Sequence, residues 1–150
     1  MLYKIVPWCT ILLHGIQTGA WAAATNAVGQ WIQADFGSDH RVLSVSTQAR
    51  SDVNFQYVRS YYISHKTDGT AWVQLPTLYQ GNTDGLTTVT NELPAGLVAR
   101  YVRLTVQTWH SHIALRWNVW GCEPTSELAR VHDIENILVY VRMSEFIKDS

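Results

Sequence analysis

Two runs of alternation, Arg100–Gln107 and Ile113–Trp120, constrain this chain more than any other feature. In the first, Tyr101, Arg103, Thr105 and Gln107 share one parity and Val102, Leu104 and Val106 the other. In the second, Ile113, Leu115, Trp117 and Val119 stand against Ala114, Arg116, Asn118 and Trp120. Period two in β-branched and aromatic residues predicts strands, each with one apolar face committed to a core. The short break Trp109-His110-Ser111-His112 predicts that the two strands are antiparallel neighbours. A half-buried pair needs a covering layer, so the pair is expected to be the spine of a sandwich or barrel.

The rest of the chain up to Cys122 reads the same way. Strands are predicted over Trp31–Phe36, Arg41–Gln48, Tyr57–Ser64, Trp72–Leu75 and Leu86–Val89, with a further short strand open at Thr10–Leu13. Turn chemistry separates them at Gly37-Ser38-Asp39, Asp68-Gly69, Gly81-Asn82-Thr83-Asp84-Gly85 and the Pro/Gly connection of residues 91–96. The stretch from Ala49 to Gln56 breaks the pattern and is expected to be a loop. Short strands at short intervals, with no βαβ alternation and no repeat, indicate an all-β sandwich or barrel. The length of 150 residues suits one domain, and seven Trp and seven Tyr fit a β-rich core. A net charge of −1 with 11 basic residues gives no electrostatic case for nucleic acid.

Both ends differ. Residues 1–18 have no clean period; Met1–Lys4, the apolar Ile5–Leu13 and Gly19-Ala20-Trp21-Ala22 loosely mimic a signal peptide interrupted by Pro7, Trp8 and Cys9. From Glu123 the chain is an appended tail: Leu128, Val131, Ile134, Leu138 and Val141 lie near helical spacing behind Ser126 as an N-cap, while Ile137–Val141 equally suits a strand. No stretch approaches the roughly 18 apolar residues needed to cross a membrane. Cys9 and Cys122 match neither metal-ligand spacing nor a CxxC motif, and no Asn-x-Ser/Thr site occurs.

The ordered segments GAWAAATN (19–26), QWIQADFG (30–37), VSTQAR (45–50), YVRSY (57–61), GNTD (81–84), ARYVR (99–103), TWHSHIALR (108–116) and Gly121-Cys122, together with Asp68-Gly69 and Trp72, resemble the discoidin domain, also called the coagulation factor V/VIII C-type domain. The resemblance covers residues 19–122. It implies a jelly-roll β-sandwich whose loops, clustered at one end, bind cell-surface carbohydrate, phospholipid head groups or extracellular protein. It implies an extracellular or cell-surface setting, no catalysis and no cofactor. It departs at the front, where family members carry a Cys, a first strand and a ligand-binding loop well upstream of the position that Trp21 matches; Cys9 lies only twelve positions before it. The segment is either truncated or replaced, and a Cys9–Cys122 disulfide is open through a strand at Thr10–Leu13.

The resemblance places ligand contacts on two loops, 19–29 and 50–57. In the second, Val53 and Phe55 form an apolar tip flanked by Asp52 and Asn54, suited to insertion into a membrane or to packing on the sandwich edge. Arg50 can clasp a sugar, carboxylate or phosphate, or pair with Asp52. Trp21, Asn26 and Tyr57 complete the expected contacts; Trp21 and Asn26 also have structural readings, as core and as an Asx turn. Arg50-Ser51-Asp52 lacks the Gly of an integrin tripeptide. His110 and His112, an i, i+2 pair, are assigned to turn hydrogen bonding because the sequence offers no third metal ligand, and Asp35 to loop support. The leading expectation is a carbohydrate-binding adhesion module, with anionic phospholipid as the alternative and an accessory domain of a larger enzyme as a third reading.

Overall fold

The structure, a computed structural model, describes residues 9–13, 20–50, 52 and 55–123. The signal-like start, the tail from Pro124 onward, Val53 and Asn54 lie outside the described residues. Nine strands are described: β1 (Cys9–Leu13), β2 (Trp21–Ala22), β3 (Trp31–Gln48), β4 (Tyr57–Lys66), β5 (Val73–Gln74), β6 (Tyr79–Gln80), β7 (Val89–Glu92), β8 (Val98–His110) and β9 (Ala114–Cys122). All pairings are antiparallel, and no helix occurs among the described residues.

The long β3 organises the sandwich. Its first part pairs with β8, from Trp31 opposite Thr105 to Asp35 opposite Tyr101. After a bulge between Asp35 and His40 its second part pairs with β9, from Arg41 opposite Cys122 to Gln48 opposite Arg116, and with β7. Arg41 lies opposite both Val98, at the start of β8, and Cys122, at the end of β9. Since β8 and β9 run in opposite directions, β3 descends in one layer and returns in the other. One layer is therefore β3(31–35), β8 and β4, edged by β5 and β6; the other is β7, β3(41–48) and β9, edged by β1 and β2. Strands that switch sheets at bulges make such corners. The two strands expected at Trp31–Phe36 and Arg41–Gln48 are these two limbs, with Gly37 at φ 80 in the predicted turn.

The inner face is the one that alternation marked. Val102, Leu104 and Val106 from β8 join Ile113, Leu115, Trp117 and Val119 in one buried cluster, with Val58, Tyr61 and Ile63 from β4 and Val42 and Val45 from β3. One expectation fails: no ladder joins β8 to β9 among the described residues, and each pairs with a different limb of β3. Two strands with inward apolar faces read identically as ladder neighbours or as opposing layers. The bond from the His112 amide to the His110 carbonyl, 2.8 Å, and Ser111 at φ 62 turn the chain across the sandwich instead. The strand expected over Leu86–Val89 lies later, at Val89–Glu92, because Asp84 closes residues 84–87 into a turn.

At the far end Cys9 stands opposite Cys122, and the two form a disulfide that ties β1 to β9. Near the opposite layer, buried Tyr61 stacks on Tyr79 and its hydroxyl accepts from Asn91 Nδ2 at 2.9 Å. Burial pushes the Tyr61 hydroxyl up to about 12 from its usual 10.0. The unfolded chain thus loses this proton first as pH rises. Stability from Tyr61 is full below about pH 10 and falls through about pH 12 by about 1.4 kcal/mol per unit, to a total of about 2–3 kcal/mol. Denaturant unfolding between pH 9 and 12 is expected to show this decline, and Tyr61→Phe to flatten it; an equally steep decline in the variant would refute the assignment.

Candidate functional site

The return of β3 brings four connections to one end of the sandwich: residues 23–30, 49–56, 81–88 and 111–113. Side chains lock them together. Asn26 accepts from the Ile113 amide through Oδ1 at 2.9 Å and donates from Nδ2 to the Ser111 carbonyl at 3.3 Å. His112 Nε2 meets the Ala23 carbonyl at 3.0 Å, and the Ala23 amide donates to the Ile113 carbonyl. The loop ahead of β3 is thereby stapled to the β8–β9 turn.

The second pair of loops is built on Tyr57. Its ring is buried and stacked on His110, with centroids 4.8 Å apart, and its hydroxyl donates to the Thr83 carbonyl at 2.9 Å. Arg59 donates to His110 Nδ1 at 3.2 Å. Buried Asn82 donates to the carbonyls of Thr47 and Thr87, at 3.3 and 2.7 Å. Asp84 accepts from the amides of Leu86 and Thr87 and from the Thr87 hydroxyl, at 2.8, 2.6 and 2.7 Å. These bonds, those from Thr87 first, hold the Asp84 carboxyl below its usual range. At the foot of the 49–56 loop the Arg50 amide donates to the Gln56 carbonyl and Arg116 Nε to the Ala49 carbonyl.

Arg50 grips Asp52 with two bonds, Nε to Oδ1 at 2.7 Å and Nη2 to Oδ2 at 3.2 Å, and that pairing raises the guanidinium pKa. Phe55 lies at φ 46, a region costly for a residue with a Cβ, and is 52% exposed. The Cδ1 side of its ring rests on Gly85: a Cβ there would fall within 1.9 Å of the ring. The neighbouring Leu86 is 79% exposed, the most exposed large apolar residue described. Phe55 and Leu86 thus form an apolar lip on two adjacent loops.

The expected contacts therefore divide. Phe55, Arg50 and Asp52 reach the surface together. Trp21 is half-buried, packs on the core and pairs with Leu115, in keeping with its structural reading. Asn26 spends both ends of its amide on the β8–β9 turn, and not on an Asx turn of its own. Tyr57, expected to touch ligand, is buried beneath the loops with its hydroxyl engaged; a Tyr that opens a strand beside a loop is drawn inward when a neighbouring loop, here the one after β6, offers it a carbonyl. Val53 and Asn54 lie outside the described residues. Sequence reasoning missed Leu86, Gly85 and Asp84. Their signal was a Leu directly after an Asp-Gly turn, with no apolar partner two positions on.

A closed antiparallel sandwich with its loops locked together at one end, and apolar side chains presented above bonded polar ones, has the form of a binding module. The profile of the F5/8 type C domain family matches residues 9–119. The chain belongs to that family. It is 40% identical over 113 residues to coagulation factor VIII of Canis lupus familiaris and 35% identical over 109 residues to lactadherin of Rattus norvegicus, covering 71% and 69% of its own length. It spans only 5% of that factor VIII and 26% of that lactadherin. Among solved structures it resembles discoidin II of Dictyostelium discoideum, with 28% identity and a TM-score of 0.65 over 71% of this chain and 42% of that one.

The Asn26 staple can be tested directly. Asn26→Ala leaves the buried Ile113 amide without its acceptor and is expected to lower stability by about 1–3 kcal/mol. Asn26→Asp keeps the acceptor and should cost less than half as much in the same denaturation experiment. Equal losses would show that the Ser111 bond carries the staple.

Proposed function

We propose that this chain is a non-catalytic binding module of an extracellular or cell-surface protein, and that it docks on a phospholipid surface through the lip formed by Phe55 and Leu86. The observation that carries this reading is the exposure of these two side chains on neighbouring loops, the Phe55 ring lying against Gly85, above polar groups most of which are bonded or buried. A carbohydrate site needs several convergent donors and acceptors with capacity to spare. At this end Asn26, Asp84, His112 and Tyr57 use theirs on backbone groups. What remains for a ligand is largely apolar, and insertion beneath head groups requires little else.

Charge is consistent with this at short range. The chain as a whole carries −1, but Arg50, Arg59 and Arg116 lie at the loop end against Asp52 and Asp84. A few cations beside an apolar tip favour an anionic head group such as phosphatidylserine. The disulfide supports an oxidising compartment, as outside the cell. The bonding of His110, His112 and Asp84 to neighbouring groups supports a role in shaping loops and argues against acid–base chemistry.

Carbohydrate binding is the second reading, favoured by one feature: the two-bonded Arg50–Asp52 pair and the half-exposed Phe55 belong to the same loop, a combination that can bond sugar hydroxyls and offer an aromatic surface.

Liposome sedimentation separates the two. Binding is expected to vesicles of phosphatidylcholine with phosphatidylserine and to be weak with phosphatidylcholine alone. Phe55→Ala and Leu86→Ala should each weaken it about tenfold, the equivalent of about 1.4 kcal/mol of apolar burial. Gly85→Ala, which displaces the Phe55 ring without deleting it, should fall between wild type and Phe55→Ala. No sedimentation with either vesicle, together with a glycan-array signal lost in Arg50→Ala, would transfer the assignment to carbohydrate.

A further inference from the structure

The end of the sandwich opposite the lip carries a second arrangement, independent of ligand binding. Cys122 is buried in the ladder between two strands: Cys9 of β1 lies opposite it on one side and Arg41 of β3 on the other. Arg41 Nη2 approaches the Cys122 sulfur at 4.0 Å, while its Nε is buried with no hydrogen-bond partner. A buried guanidinium nitrogen without an acceptor is costly, and a disulfide sulfur is a poor acceptor. A thiolate at Cys122 would be a far better partner. Cys9, in contrast, is partly exposed. The other titratable side chains close by in the described chain are Asp39, which has one buried carboxylate oxygen without a partner, and His40 and Glu123, 3.6 Å apart, with Glu123 directed to solvent.

We propose that Cys9–Cys122 is a reducible latch, opened by a dithiol reductant that attacks Cys9 while Cys122 departs as a thiolate paired with Arg41. The first step forms a bond between the reductant sulfur and Cys9 Sγ and breaks the protein disulfide, with the electron pair leaving on Cys122. The second thiol of the reductant, deprotonated, then displaces Cys9 from the mixed disulfide. Two electrons pass from the dithiol to the protein, and the reductant becomes a disulfide. Cys9 takes up one proton, the other goes to solvent, and Cys122 stays ionised beside Arg41. The sulfur of the partly exposed residue is the one attacked and the leaving sulfur, beside Arg41, is the better-stabilised thiolate, which is the favourable polarity for exchange.

Opening has a structural consequence. β1 is a five-residue strand that pairs with β9 alone, with a register shift between Ile11 and Leu13. Without its covalent tie it can leave, exposing the β9 edge from Val119 to Cys122 as unpaired backbone. The lip has no described bond to β1: its loops are bonded to Thr47 of β3, to Tyr57, Val58 and Arg59 of β4 and to Arg116 of β9.

The test uses the full chain equilibrated with reduced and oxidised dithiothreitol, then acid-quenched, alkylated and weighed. Arg41→Gln is expected to shift the equilibrium about tenfold toward the disulfide, or about 30 mV, while Arg41→Lys stays close to wild type. A shift of less than twofold in Arg41→Gln would overturn the role of Arg41. Because that variant can also disturb folding, wild-type protein supplies an independent readout: a mixed disulfide with glutathione, trapped at low pH, should map to Cys9. Trapping on Cys122 would overturn the proposal. Hydrogen exchange on reduction should rise in residues 119–122 and remain slow in β4 and β8; loss of protection throughout would show that reduction unfolds the domain and opens no latch.

Discussion

The carboxylate of Asp35 accepts from the Gly37 amide at 2.9 Å and from Arg100 Nε and Nη2 at 2.9 and 3.3 Å, and these bonds hold the corner where β3 leaves one layer for the other. Arg100 reaches on to Asp68 at 3.0 Å, so the corner is also tied to the turn after β4. The Arg100 bond is the largest reason that the Asp35 carboxyl stays below its usual range. Register is at stake here. A slip of one residue in the limb that follows would turn its buried side chains to solvent. Because β3 doubles back, the loop before it and the loop after it reach the same end of the molecule. The binding end is therefore a consequence of the corner at the other end.

The same corner explains how much could be read in advance. Alternation in β8 and β9 marked Val102, Leu104, Val106, Ile113, Leu115, Trp117 and Val119 as inward, and all are buried. Periodicity reports which face is apolar and is silent about which strand lies alongside. The sequence therefore suggested a β8–β9 ladder where the chain crosses between layers. Gly37 and the residues around it were legible as a turn from side-chain chemistry alone. That this turn changes sheets depends on pairings 57 to 81 residues away in sequence, from Arg41 with Val98 to Arg41 with Cys122, which no local pattern encodes.

The site was legible in its loops and less so in its residues. Composition identifies a side chain that could meet a ligand, but it does not show whether its bonds are already used. Asn26 and Tyr57 are both polar-tipped residues beside a loop, and both already bond a carbonyl or amide of a turn or loop distant in sequence within 3.3 Å. Leu86 was read as a strand residue for the converse reason. An apolar residue after a turn reads as the start of a strand, unless a carboxylate such as Asp84 has captured the next two amides.

That capture bears on mechanism. A loop that presents apolar side chains to a membrane gains most if it is ordered beforehand, because ordering on binding would subtract from the energy of insertion. Here the two loops of the lip are fixed by bonds lying beneath it: Tyr57 to Thr83, Asn82 to Thr47 and Thr87, Asp84 to residues 86 and 87, and Arg50 to Asp52. In the proposed lipid-docking role, polar side chains at this end serve the ligand indirectly. They hold Phe55 at a backbone angle it would not otherwise adopt, with its ring on Gly85 and its outer face open beside Leu86. A sugar site would keep some of those polar groups available; a lipid-facing lip can use nearly all of them as scaffold.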